Sequence, residues 1–99
     1  MSTEVNIAKQ AIHDMLESKI KSAEAKLDTL KATAENAKAH AEIKAIMELV
    51  TKKPVIRLKL HELKNSGGDR WEQAKNDLED RITEFEKSLK GIESKVKAS

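Results

Sequence analysis

The chain has 99 residues, which is enough for one domain and too few for two. Charged residues make up 36% of it and aromatic residues only 2%, a composition typical of long helices and coiled coils. The lack of cysteine excludes disulfides and thiolate metal sites. No apolar stretch reaches the roughly 18 residues of a membrane span, and no signal-like apolar run follows the first residues. We therefore expect a cytoplasmic protein without a membrane span.

The first half of the chain has the pattern of one long helix. Residues 4–50 contain no glycine or proline, and apolar side chains recur at alternating steps of three and four residues, which is a heptad seam. Beyond Ala41 the seam shifts phase to Ile43, Met47 and Val50. We expect the seam to mediate self-association, through Leu16, Ile20, Ala23, Leu27, Leu30, Ala34 and Ala37.

Pro54 falls inside this pattern. A proline within a helix removes one backbone hydrogen bond and clashes with the preceding turn, so we expect a kink or short break over residues 50–54. The predicted first arm therefore runs over residues 3–65 with a kink in it. Leu60 and Leu63 resume helical spacing after the kink.

The segment 51–64 is strongly basic, with five basic residues against one acidic residue. Such a segment is a candidate contact for nucleic acid or an anionic surface, through Lys52, Lys53, Arg57 and Lys59. No aromatic side chains are interleaved for base stacking, and the acidic residues between 72 and 84 oppose the segment in a hairpin. A solvated, salt-bridged face is the favoured interpretation.

The stretch "NSGGD" predicts a chain reversal at residues 65–69, followed by a second helix over residues 69–97. The second helix has its own heptad seam, headed by Trp71, which we expect to close the apolar end of the hairpin. The predicted hairpin seam comprises Leu60, Leu63, Trp71, Leu78, Ile82, Phe85, Leu89 and Ile92.

A reversal near Gly67 places residue i of the first arm roughly beside residue 135 − i of the second helix. Residues 3–35 are then left without a partner in their own chain, although their seam is apolar. Either two copies pair through residues 10–35, or the chain bends near residues 31–40 into a three-helix bundle. Because no glycine or proline favours a bend there, we predict an all-α antiparallel helical hairpin that assembles as a homodimer, with the three-helix bundle as the alternative.

The corner "SGGDRWEQAK", the closing "ESKVK" and the alanine-rich "AENAKAHAEIKA" resemble a family of small bacterial coiled-coil proteins of uncharacterised function. In that family a charged heptad helix ends in a Ser-Gly-Asp-Ala-Trp-Glu type corner. This chain departs from the pattern by an extra glycine, by Arg70 in place of alanine and by Pro54. The resemblance implies a helical hairpin and brings neither catalytic residues nor an established ligand.

Catalytic chemistry is not indicated by the sequence. The stretch "HELKN" begins like a zinc-protease helix, but Asn65 stands where the second histidine is needed. We expect a non-enzymatic structural or scaffolding module without cofactors, whose partner is a second copy or another coiled-coil protein. The alternative is an accessory factor that binds nucleic acid or anionic surfaces through residues 52–64.

Overall fold

In the computed structural model, which describes the backbone of residues 3–98 and the side chains of residues 7–98, the chain folds into three α-helices. Helix α1 spans Thr3–Asn36, α2 spans His40–Asn65 and α3 spans Asp69–Ala98. They pack as an up-down-up bundle that measures 55 × 17 × 16 Å. The all-α class is confirmed, and the three-helix alternative fits; the single arm predicted over residues 3–65 is instead two helices that fold back on each other.

The reversal between α1 and α2 depends on the backbone of Lys38. Lys38 has φ of 57°, and its N–H donates to the carbonyl of Glu35 at 3.1 Å. The N–H of Ala39 donates to the carbonyl of Ala34 at 3.0 Å, which completes a Schellman turn. Glycine normally occupies the left-handed position of this turn, and a lysine there costs about 1–2 kcal/mol. The chain therefore reverses here without a glycine, because burial of Ala34 and Ala39 offsets the cost of the left-handed backbone at Lys38.

Helix α2 is continuous through Pro54, so the short break predicted over residues 50–54 is not seen. Pro54 is exposed on the side of α2 that faces away from the bundle. Ile46 and Leu49 are buried in the core, whereas Met47, predicted on the seam, is 49% exposed. The turn at Lys38 explains this difference, since it frees the rotation of α2 about its axis from the heptad phase of α1.

The core is a column of apolar side chains between the three helices. Each helix contributes residues at steps of three, four or seven, and in the described part of the chain every buried side chain is hydrophobic. The core comprises Leu16, Ile20, Ala23, Leu27, Leu30, Ala34, Ala39, Ile46, Leu49, Ile56, Leu60, Leu63, Trp71, Leu78, Ile82, Phe85, Leu89, Ile92 and Val96. The residues predicted for the hairpin seam are all among them.

The residues predicted for self-association have partners within their own chain. Six of the seven, from Leu16 to Ala34, are buried in the intrachain core, and Ala37 is exposed in the α1–α2 turn. The prediction of a dimer through residues 10–35 depended on this seam having no partner in its own chain. In this fold α2 and α3 cover it.

The second reversal lies where the sequence predicts it, between residues 65 and 69. The N–H of Ser66 donates to the carbonyl of Leu63 at 3.2 Å and ends α2. Gly68 then adopts φ of 59°, and the N–H of Trp71 donates to its carbonyl at 3.2 Å as α3 begins. Of the paired glycines, Gly68 alone requires the left-handed backbone that favours glycine.

We expect the substitution Gly68→Ala to lower the free energy of unfolding by about 1 kcal/mol, because alanine is disfavoured at positive φ. A Cβ at either glycine meets no heavy atom within 4 Å, so steric clash plays no part. Gly67→Ala is the matched control and should change stability by less than about 0.5 kcal/mol. Urea denaturation followed by Trp71 fluorescence measures both; equal effects would contradict the assignment of the turn to Gly68.

Candidate interaction surface

Helix α2 carries apolar side chains on the face opposite the core. Met47 is 49% exposed, Val55 40% and Leu58 54%, and Thr51 and Pro54 lie exposed between them. At about 100° of rotation per residue, these five positions fall within an arc of roughly 100° and form one stripe. We call these five residues the α2 strip.

Within the described region, the residues of the α2 strip lie outside the hydrophobic core. The buried residues of α2, such as Leu49, Ile56 and Leu63, point to α1 and α3 from the other side of the helix. In the described part of α3 no large hydrophobic side chain is exposed, so α3 has no apolar stripe like that of α2 on its outward face. A groove between α2 and α3 borders the strip at Val55 and is lined by Lys52, Val55, Ile56, Arg81, Glu84, Phe85 and Ser88.

Charged side chains of both signs lie around the strip. Lys44 and Glu62 are exposed beyond its two ends, and along one edge Glu48 is exposed and Lys59 half-buried. Lys59 Nζ lies 3.5 Å from Glu62 Oε2 and 3.7 Å from Asp77 Oδ2 on α3. The contact between Lys59 and Asp77 agrees with the antiparallel register expected from the corner at residues 65–69.

Arg57 of the basic segment binds α1. Its Nε lies 3.2 Å from Glu24 Oε2, and its Nη2 donates to Glu24 Oε1, which makes a two-point bond between the helices. Because of this hydrogen bond, and further through the positive charge of Arg57, the pKa of Glu24 lies below its ordinary value although burial opposes the shift. The same contact raises the pKa of Arg57. Glu24 is the partner that sequence reasoning missed, since the hairpin register pointed to α3.

The other residues proposed for an anionic partner differ in exposure. Lys53 is half-buried and close enough to Glu24 to lower the pKa of that carboxyl further. Lys52 is exposed on the rim of the groove that also contains Glu84. With Arg57 and Lys59 beside carboxylates, the four residues do not form one open basic patch.

Trp71 closes one end of the bundle, as the corner sequence predicts. Its side chain is 8% exposed, and it shares a surface cavity with Leu63 of α2 and His13 of α1. The ammonium of Lys9 lies 5.3 Å from the ring centroid and that of Lys75 lies 6.0 Å away. Both distances suit cation–π contacts, and the one from Lys9 joins the first turns of α1 to the start of α3.

Among residues 7–98, no three histidine or acidic side chains come close enough together to hold a metal ion. The helices of the described region include none that is both long and apolar enough to cross a membrane. The large hydrophobic side chains exposed in the described region are those of Met47, Val55 and Leu58 in the α2 strip and those of Ile7 and Met15 on α1.

A signal for the α2 strip was present in the sequence. Met47, Val55 and Leu58 are out of phase with Leu60 and Leu63, so α2 has apolar residues on two sides. A single long helix predicts Met47 on the buried seam and leaves Leu58 outside it.

Comparisons with known proteins returned no matching family model, no matching curated protein and no matching solved structure. The resemblance of the corner at residues 65–72 to small coiled-coil proteins stays a prediction.

We expect the bond between Arg57 and Glu24 to make stability depend on pH. The folded pKa of Glu24 is below its unfolded value of about 4.3, so its contribution is present above that pH and is lost as the pH falls through the folded pKa. Glu24→Gln should therefore lose less stability than wild type between about pH 5 and pH 3. Asp28→Asn, which alters an exposed residue of the same helix, should keep the wild-type loss.

Urea unfolding at a series of pH values measures this difference. Because Arg57 is 39% exposed, the difference should be below about 1 kcal/mol. If Glu24→Gln and Asp28→Asn both lost as much stability as wild type when the pH falls, the role given to Glu24 would be contradicted.

Proposed function

We propose that this chain is a non-catalytic protein-interaction module that binds a partner helix through the α2 strip, and that the simplest partner is a second copy of itself. The observation that carries the proposal is the alignment of Met47, Val55 and Leu58 along the outward face of a helix whose other face is already buried. Apolar residues at helical spacing with charged borders are the usual docking face for another helix.

Burial of the α2 strip supplies the driving force. Each of the three large side chains is 40–54% exposed in the monomer, and removal of apolar surface from water contributes about 25 cal/mol per Å². Thr51 and Pro54 in the middle of the strip have small side chains, which lets a second helix approach closely. Since this is a single helix face, the contact is smaller than the roughly 800 Å² per partner of a stable complex, and the association should be weak and reversible.

The charges along the strip support an antiparallel arrangement of two copies. When α2 of one copy lies antiparallel to α2 of the other with residue i beside roughly residue 106 − i, Lys44 lies beside Glu62. In the same register Glu48 lies near Lys59, which also lies beside Glu62 and Asp77 of its own chain. Both pairs occur twice because the arrangement is two-fold symmetric. Complementary edges of this kind select register and orientation more than they add affinity.

The alternative of an anionic partner receives less support. Arg57 is bonded to Glu24, and Lys59 lies beside Glu62 and Asp77, so two of its four predicted contacts are already next to carboxylates. Lys52 remains available at the surface, but a single lysine gives weak and nonspecific attraction to phosphates.

The proposal is tested by the substitution Leu58→Glu. A carboxylate in place of the most exposed apolar side chain of the strip should weaken rapid, reversible self-association at least tenfold, because burial of an unpaired charge is costly. The free energy of unfolding should change by less than about 0.5 kcal/mol, since Leu58 makes no core contact. Sedimentation equilibrium between micromolar and millimolar protein measures the association.

Ser18→Glu, at an exposed position on α1, is the matched control and should leave the association unchanged. Wild-type protein that remains monomeric up to millimolar concentration would refute self-association through the strip. So would a dimer that Leu58→Glu and Ser18→Glu affect equally.

A further inference from the structure

At the α1–α2 turn the fold opposes the local preference of the sequence. Residues 36–41 read Asn-Ala-Lys-Ala-His-Ala, with alanine at every second position and no glycine or proline. Lys38 nevertheless adopts φ of 57°, and it is the only non-glycine residue of the described region with positive φ. Ala39 precedes α2 without a side-chain hydrogen bond to cap the helix. Short, strained turns of this kind favour exchange of elements between copies.

We infer that α1 exchanges between two copies of this chain. In the exchanged dimer, residues 37–39 adopt helical backbone angles, so that α1 and α2 of each chain become one continuous helix. The α1 segment then packs on α2 and α3 of the second copy, in the place that the second copy's own α1 occupies in the monomer. This inference goes beyond the proposed function, because it uses the core and not the α2 strip.

The core permits the exchange without any new side-chain chemistry. Leu16, Leu27 and the other buried residues of α1 meet an identical surface of α2 and α3 in either state. Only the turn changes: Lys38 is relieved of the left-handed conformation, and the backbone N–H groups of residues 38–40 exchange their acceptors in the turn for ordinary helical ones. The entropy lost when two chains associate opposes these gains, so the exchanged dimer forms at high protein concentration.

The residues around the turn are small enough for two continuous helices to cross there. Ala34, Ala37 and Ala41 are spaced by three and four residues and share one side of the continuous helix. Ala37 and Ala41 are exposed in the monomer. In a closed, two-fold dimer the two continuous helices cross near these alanines, whose small side chains let the backbones approach closely.

Exchange requires α1 to leave the core before it can bind the second copy. It is therefore slow, and the dimer persists after dilution until the protein is unfolded again. The weak association through the α2 strip is rapid and reversible. The two kinds of dimer are thus distinguished by rate, and by their response to Leu58→Glu, which leaves α1 exchange unaffected.

Charge reversal at the Arg57–Glu24 pair tests the exchange directly. E24R and R57E each place two like charges together within one chain. When the two variants are unfolded together and refolded at high concentration, α1 exchange between them puts opposite charges together at both α1–α2 contacts. Random pairing of equal amounts gives mixed and like dimers in a ratio of 1:1, and we expect this ratio to rise at least fivefold, measured by native mass spectrometry. The double variant E24R/R57E restores the pair within each chain and should behave as wild type.

A statistical mixture of E24R and R57E dimers overturns the inference, because a dimer joined by any other surface restores neither pair. Failure to find any slowly dissociating dimer in wild-type protein refolded at millimolar concentration overturns it as well. Neither result bears on the α2 strip, which is tested by rapid self-association.

The turn itself provides a second test. K38G removes the cost of positive φ in the monomer and disfavours the continuous helix, so it should lower the fraction of exchanged dimer roughly tenfold. K19G, at an exposed position within α1, is the matched control and should leave that fraction within about twofold of wild type. X-ray scattering should give a maximum dimension of roughly 95 Å for the dimer, from a continuous helix over residues 3–65. A dimer no longer than the 55 Å monomer, or equal fractions for K38G and K19G, overturns the inference.

Discussion

Burial of the α1 seam within its own chain is the constraint on which the rest of the structure depends. That seam, from Leu16 to Ala34, is too apolar to remain in water, and in this fold α2 and α3 provide its cover. The cover requires a reversal after Asn36, and the reversal requires the left-handed conformation of Lys38. The free energy of packing about twenty apolar side chains exceeds the cost of one unfavourable backbone conformation many times over. Tertiary packing therefore overrides local propensity at this turn.

The purely apolar core gives stability but little information about register. A column of leucine, isoleucine and alanine tolerates small shifts of one helix along another, and no buried polar side chain in the described region opposes them. Contacts at the edges supply that information. Arg57 bonds Glu24 across α1 and α2, Lys59 approaches Asp77 across α2 and α3, and Trp71 with Lys9 aligns one end of the bundle. These contacts are individually weak, and their value lies in selecting one arrangement.

Helix α2 shows how a structural requirement and an interaction surface share one segment. Its inward residues, Ile56, Leu60 and Leu63, complete the core, so its outward face is free of any part in holding the bundle together. Apolar residues at Met47, Val55 and Leu58 on that face have no explanation in the stability of the monomer. The basic residues of α2 also differ in their surroundings. Arg57 and Lys59 lie beside carboxylates of the bundle, whereas Lys52 is exposed. The strip, rather than the basic segment, is therefore the proposed contact surface.

The sequence by itself determined the helical class, the reversal at residues 65–69, the second helix with its seam from Trp71 to Ile92, and most of the core. These features follow from periodicity and from glycine chemistry, both of which are local. The reversal at Lys38, the partner of Arg57 and the outward position of Met47 were decided only by the tertiary structure. Nothing in the sequence near residue 38 favours a turn, and a single chain needs that turn both to cover α1 and to give α2 its rotation. The physical reason is that the free energy favouring the turn comes from side chains distant in sequence, which meet only after the chain has reversed.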